Sequence, residues 1–143
     1  MQRILVVDDM ATNRELLRNI LEDDFAIETA ENGESALIKL QEYGEDMAAV
    51  LLDLQMPKMD GFAVIATMKR NGWLNKIPVL IISSEHAAEI ENGCLELGVS
   101  DFIHKPFDAS IVRNRVKNTL DLFAYKNRLE ETVEKQRKTL RHQ

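Results

Sequence analysis

Ile4-Leu5-Val6-Val7-Asp8-Asp9, Ala49-Val50-Leu51-Leu52-Asp53 and Val79-Leu80-Ile81-Ile82-Ser83-Ser84 repeat one pattern, an aliphatic run of four that ends on polar residues. Short aliphatic runs without polar alternation read as strands buried on both faces of a parallel sheet. In an open sheet of this kind, ligands bind outside the carboxyl ends of the strands. Asp8, Asp9, Asp53 and Ser83 are therefore expected to converge on one edge.

Amphipathic stretches separate the strands. Thr12, with Glu15 three residues on, reads as a capping box, and Leu16, Leu17, Ile20 and Leu21 then share an apolar face. Phe25-Ala26-Ile27 is a second, short strand. Asn32-Gly33 opens a helix that buries Ala36, Leu37 and Leu40 and ends near Gly44. Pro57 blocks helix after Asp53, and Asp60-Gly61 starts the next one, with Phe62, Ile65 and Met68 inward. Pro78 opens the fourth strand, and a helix through Ile90, Cys94 and Leu97 stops at Gly98. Asp101-Phe102-Ile103 is the fifth strand, and Asp108 caps the last helix. Five strand–helix repeats with short loops predict an α/β, flavodoxin-like fold. It is a doubly wound five-stranded parallel sheet with an extended C-terminal helix.

The chain's 143 residues suffice for one core without disulfides or structural metal. Charge is uneven. Residues 1–107 carry 9 Lys/Arg against 19 Asp/Glu, net −10, while residues 108–143 carry 9 against 5, net +4. An acidic body argues against direct nucleic-acid binding. The single Cys94, in an apolar helical pattern, reads as a buried structural thiol in a reducing compartment. No run of about 18 apolar residues spans a membrane, and the N-terminus enters a strand at once. A cytoplasmic location is expected.

From Asp108 to about Leu140 the sequence has no Gly or Pro. Ile111, Val112, Val116 and Leu120 are placed to pack on the sheet. Beyond them Leu122, Leu129, Val133 and Leu140 share one seven-residue register with the polar Lys126 and Gln136. Residues 1–120 thus form the body, and residues 121–143 a helical extension that serves as a coiled-coil linker. An isolated helix is marginal in water, so a homodimer through this helix is expected, parallel so that both bodies sit at the same end.

Carboxylates held within a few ångströms raise one another's pKa, and a hard divalent cation resolves the conflict. Mg²⁺, or Mn²⁺, with waters and a phosphate suits such a site. Lys105, after the fifth strand, adds a fixed positive charge, and Ser83 a hydroxyl donor. That set can stabilise in-line phosphoryl transfer to a carboxylate. His86, His104 and His142 are too scattered to build a site. Met47, Met56, Met59 and Met68 read as gap-filling residues.

At these residues the chain resembles the receiver domain of bacterial two-component response regulators. The pieces are Ile4 to Asp9, Leu51-Leu52-Asp53-Leu54-Gln55-Met56-Pro57-Lys58-Met59-Asp60-Gly61, Ser83-Ser84 and Asp101-Phe102-Ile103-His104-Lys105-Pro106-Phe107, in the family's order and spacing. The resemblance implies that Asp53 accepts a phosphoryl group from a sensor histidine kinase or phosphotransfer protein. It makes Asp8, Asp9, Asp53 and the Gln55 carbonyl the Mg²⁺ set, with Asp8 acting through water. Ser83 and Phe102 take the switch positions, Lys105 is the phosphate-binding lysine, and Lys105-Pro106 a cis peptide. Gln55 stands where Asn or Glu is frequent. The tail resembles linkers that lead, in longer members, to output domains. The domain would be a switch that catalyses only its own phosphorylation and dephosphorylation. Two other classes fit parts of the pattern. A haloacid-dehalogenase-type phosphatase shares the Asp nucleophile but needs an acid where Gln55 stands. A flavodoxin-like cofactor binder shares the fold but needs a phosphate-cradling loop in place of Asp8-Asp9-Met10.

Overall fold

A computed structural model describes residues 1–84 and 88–141, with side chains to residue 138. The strands are β1 (Arg3–Val7), β2 (Ala26–Ala30), β3 (Met47–Asp53), β4 (Val79–Ser83) and β5 (Asp101–His104). They alternate with helices α1 (Ala11–Leu21), α2 (Gly33–Tyr43), α3 (Gly61–Arg70), α4 (Ala88–Leu97) and α5 (Ala109–Arg141). All pairings are parallel, in the order β2-β1-β3-β4-β5. The direction of winding reverses between β1 and β3, which opens a crevice at their carboxyl ends.

Strand periodicity divides the core into two layers. Leu5, Val7, Val50, Leu52, Val79 and Ile81 face one way and pack with Leu40, Val64, Ile65, Met68 and Cys94 from α2, α3 and α4. Ile4, Val6, Ala49, Leu51, Leu80 and Ile82 face the other and pack with Leu17, Leu21, Val112 and Val116 from α1 and α5. Each fully buried aliphatic contributes about 1.5–3 kcal/mol, which explains why the strand runs carry no polar alternation. Cys94 is buried, as expected, and burial pushes its thiol pKa up.

Helix starts follow the sequence at three places. Asn32 Oδ1 accepts from Ser35 N–H at 2.8 Å, Asp60 Oδ1 from Ala63 N–H at 2.9 Å, and Asp108 Oδ1 from Ile111 N–H at 3.1 Å. The Thr12–Glu15 capping box is not made. The helix starts two residues earlier, with Met10 at the cap position and no side-chain cap. Asp8 turns the chain there instead, its Oδ1 accepting from Met10 N–H at 2.9 Å.

Three residues expected inward are exposed: Leu16, Phe62 and Ile111. In each helix the neighbouring apolar positions, Leu17, Val64 with Ile65, and Val112, already fill the narrow stripe that the sheet covers. Arg115 ties α5 to the edge strand, donating to the Phe102 carbonyl at 2.7 Å and to Asp101 Oδ1 at 3.1 Å. Arg113 Nε donates to the Ile20 carbonyl at 3.2 Å. Past Leu120, α5 continues unbroken and its side chains are mostly exposed. Among the described residues no helix is long and apolar enough to cross a membrane.

Lys58, between β3 and α3, has φ of 68°, the left-handed region. That conformation costs an L-residue about 1–2 kcal/mol, while glycine adopts it freely but loses about 0.5–1 kcal/mol more backbone entropy on folding. Lys58→Gly should therefore gain about 0.5–1 kcal/mol, a rise of a few degrees in Tm by calorimetry. An unchanged or lower Tm would show that this turn carries no strain.

Candidate functional site: an acidic crevice at the β1–β3 switch point

Asp8 follows β1, and Asp53 is the last residue of β3, beside it in the sheet. Asp8, Asp9 and Asp53 each place a carboxylate oxygen within 4.8 Å of the others. Asp8 and Asp53 are buried, while Asp9 is exposed at the mouth. Lys105 reaches in from the end of β5. Its Nζ lies 3.3 Å from Asp8 Oδ2 and 3.4 Å from Asp53 Oδ2. The backbone sets that reach, because Lys105 N–H donates to the Ser83 carbonyl at 2.9 Å. The Lys105–Pro106 peptide is cis. Asp9, Asp53, Gln55, Ser83 and Lys105 line one open pocket of about 430 Å³ together with Met10, Asn13 and Ser84.

Burial pushes the Asp53 carboxyl pKa up, and the charge of Asp8 adds to that push. The Gln55 N–H, 3.1 Å from Asp53 Oδ1, and the Lys105 ammonium pull the other way without cancelling it. Among the described residues, three acids against the Lys105 ammonium and the Arg14 guanidinium leave the crevice with excess negative charge. Hard oxygen donors in that state fit a divalent cation of the Mg²⁺ or Mn²⁺ kind.

A model of the response regulator receiver domain matches residues 4–117. The chain belongs to that family. The receiver is 39% identical over 109 residues to a protein-glutamate methylesterase/protein-glutamine glutaminase of Treponema denticola, a match covering 73% of this chain and 28% of that protein. It is 35% identical over 117 residues to a probable cyclic di-GMP phosphodiesterase of Vibrio cholerae, covering 82% and 26%. Among solved structures it resembles the chemotaxis protein CheY4 of Vibrio cholerae, with a TM-score of 0.76, 26% identity, and coverage of 83% and 98%. The receiver spans less than a third of the length of those two curated relatives. Family membership sets the phosphatase and flavodoxin-like readings aside.

Ser83 and Phe102 lie on neighbouring strands, two register positions apart, since Ile81 pairs with Phe102 and Ser83 with His104. Ser83 is buried, and Phe102 is half-buried against the α3–α4 core layer. Two residues of the receiver's crevice escaped the sequence reading. Asn13 Nδ2 donates to Asp8 Oδ2 at 3.2 Å, and Arg14 donates to the Asp8 carbonyl at 2.7 Å. Both sit in the first turn of α1, one helical turn from the acidic pair, and that proximity was the only available signal. His104 is not idle. Its Nε2 lies 2.7 Å from Glu91 Oε1, linking β5 to α4. His86 and His142 lie outside the described residues.

Proposed function

We propose that Asp53 is the phosphoacceptor of this receiver, supplied by the phosphohistidine of a sensor kinase or phosphotransfer protein. The observation that carries this is the single ammonium of Lys105 held 3.3–3.4 Å from both Asp8 and Asp53 at the switch-point crevice. An Asp53 carboxylate oxygen attacks phosphorus in line. The phosphorus–nitrogen bond breaks, and the imidazole leaves with the electron pair. Lys105 and the Ser83 hydroxyl then face the oxygens of the new acyl phosphate. Asp8, Asp9, Asp53 and the Gln55 carbonyl are the groups that would hold Mg²⁺ or Mn²⁺, whose role when bound is to neutralise phosphoryl charge.

The added group brings about −1.5 to −2 charges and three acceptor oxygens. Ser83 bonds one of them, Phe102 turns into the space vacated, and the α4–β5–α5 face changes shape. The receiver is thus a switch and not an enzyme acting on other substrates, working in the cytoplasm without membrane or nucleic-acid contact. Residues 1–120 are the switch, and 121–143 the linker that pairs two copies and passes the change to an output domain or partner.

Acetyl phosphate with Mg²⁺ tests the acceptor directly. A labile gain of about 80 Da should map to Asp53, and a gain mapping elsewhere refutes the assignment. Asp9→Ala should weaken Mg²⁺ binding at least tenfold by calorimetry, since it removes one of three carboxylates. Unchanged affinity would exclude Asp9 as a ligand.

A further inference from the structure

The seam along the end of α5 is exposed, with Leu122 69%, Leu129 48% and Val133 46% accessible. Its positions 122, 126, 129, 133, 136 and 140 step by four and three, the spacing of a coiled-coil stripe. The sequence alone leads to the expectation of a parallel pair, but the identities along the seam favour the opposite direction.

In a parallel pair in register every seam residue meets its own copy. Lys126 then faces Lys126, two ammoniums in one apolar stripe. Turning the second helix round about position 131 gives a different match. Leu122 meets Leu140, Leu129 meets Val133, and Lys126 meets Gln136, whose amide oxygen accepts from the ammonium. Every aliphatic position finds an aliphatic one, and each polar position finds its complement. Among the described residues of its own chain Lys126 makes a loose ion pair, 4.0 Å from Glu130, with both side chains about two-thirds exposed.

A cleft at the root of α5 points the same way. About 330 Å³ in volume, it is lined by Leu122 and Lys126 of the seam, by Thr119 one turn before them, and by Leu74, Gly98 and Ser100 of the body. The seam therefore runs on into a recess beside the sheet. An antiparallel partner brings its position 140 to this recess, whereas a parallel partner carries that position away, about 27 Å up the helix. Charge agrees. Positions 135–141 hold Lys135, Arg137, Lys138 and Arg141 with no acid. Parallel pairing gathers both basic clusters at one end of the pair, while antiparallel pairing sets each beside a body of net charge −10.

We propose that two copies of this chain pair antiparallel through residues 122–140, the end of each helix seating in the cleft at the root of the other's α5. The two receiver bodies then lie at opposite ends of the pair. The proposal rests on pairing itself but not on the acceptor chemistry.

Oxidative cross-linking of the full chain tests the direction, with the buried Cys94 left in place. Leu129→Cys and Val133→Cys variants, mixed, should link severalfold more completely than either alone. Leu129→Cys linking to itself as completely as the mixture overturns the antiparallel direction while leaving pairing intact. Sedimentation of the parent as a monomer at high micromolar concentration overturns pairing and the direction with it. An independent arm uses Lys126→Glu with Gln136→Lys in one chain. Antiparallel helices then form two ion pairs, and the dimer should dissociate at severalfold lower concentration than the parent. A weaker dimer refutes the proposal, because only parallel helices would set Glu on Glu and Lys on Lys.

Discussion

Asp53→Asn takes up no phosphoryl group from acetyl phosphate and, in metal-free buffer at neutral pH, unfolds at a higher temperature than the parent. The two results have one cause. Asp53 is 4% exposed, and burial raises its carboxyl pKa on folding despite Lys105 and the Gln55 N–H. A carboxyl whose pKa rises on folding destabilises the native state wherever it is ionised there. The penalty is full above the folded value and disappears as pH falls through it toward the unfolded value. The parent should therefore gain stability relative to the variant on acidification, and lag behind it at neutral pH. The amide is isosteric, and its oxygen still accepts from Gln55 N–H, so the fold is kept. Mg²⁺ should reverse the order. A ligand that binds only the native state at a hundred times its Kd adds about 2.7 kcal/mol, and the variant has lost one carboxylate of the three. Thermal melts of both proteins with and without Mg²⁺, from neutral pH to about pH 4, check all of this. Undiminished labelling of the variant would remove Asp53 from the chemistry. A parent more stable than the variant in metal-free neutral buffer would mean that Lys105 outweighs burial.

The sheet and its carboxyl edge were legible because buried parallel strands leave an unmistakable trace: Ile4 to Val7 and Val79 to Ile82 contain no polar residue at all. Where such a run stops, the next side chain is at the edge, and Asp8, Asp53 and Ser83 were placed by that rule alone. Lys105 needed more, since only the β5 register brings its Nζ between two carboxylates. The support around Asp8 was not legible. Met10 N–H and Asn13 both spend their hydrogen bonds on its carboxylate, and a carboxylate's choice among nearby donors is settled by the closed turn and not by spacing. The Thr12 capping box fails because the helix already begins at Ala11, which leaves Thr12 inside its first turn. Phe62 and Ile111 fail differently. Helical period puts each near the apolar stripe, but which residue at its margin is covered depends on the helix's rotation against the sheet, set by all its contacts together.

Gly61→Ala should damage fold and chemistry at once, while Gly93→Ala, the same change on another helix, should help. A Cβ at Gly61 would lie 2.6 Å from the Asp53 carbonyl oxygen and 2.7 Å from the Leu54 Cα. Both are backbone atoms, so no rotamer change relieves the contact. The start of α3 must move off the end of β3, and with it goes the hydrogen bond from Gly61 N–H to the Leu54 carbonyl, now 3.0 Å. Overpacking of this kind typically costs about 1–3 kcal/mol, and a rigid backbone neighbour puts the expectation at the upper end. The displaced loop carries Gln55, whose N–H fixes the Asp53 carboxylate, so acetyl-phosphate labelling should slow as well. At Gly93, inside α4, an added Cβ meets nothing within 4 Å. There alanine only removes backbone freedom from the unfolded chain and gains up to about 1 kcal/mol. Denaturant melts of the two variants should move in opposite directions with unchanged slope. If Gly61→Ala melts with the parent and labels at the same rate, the close approach of α3 to β3 does not hold the acceptor in place. If it is destabilised but labels normally, the turn is structural only. The expected result, stability and labelling rate falling together, makes the glycine part of how this fold aims its carboxylate.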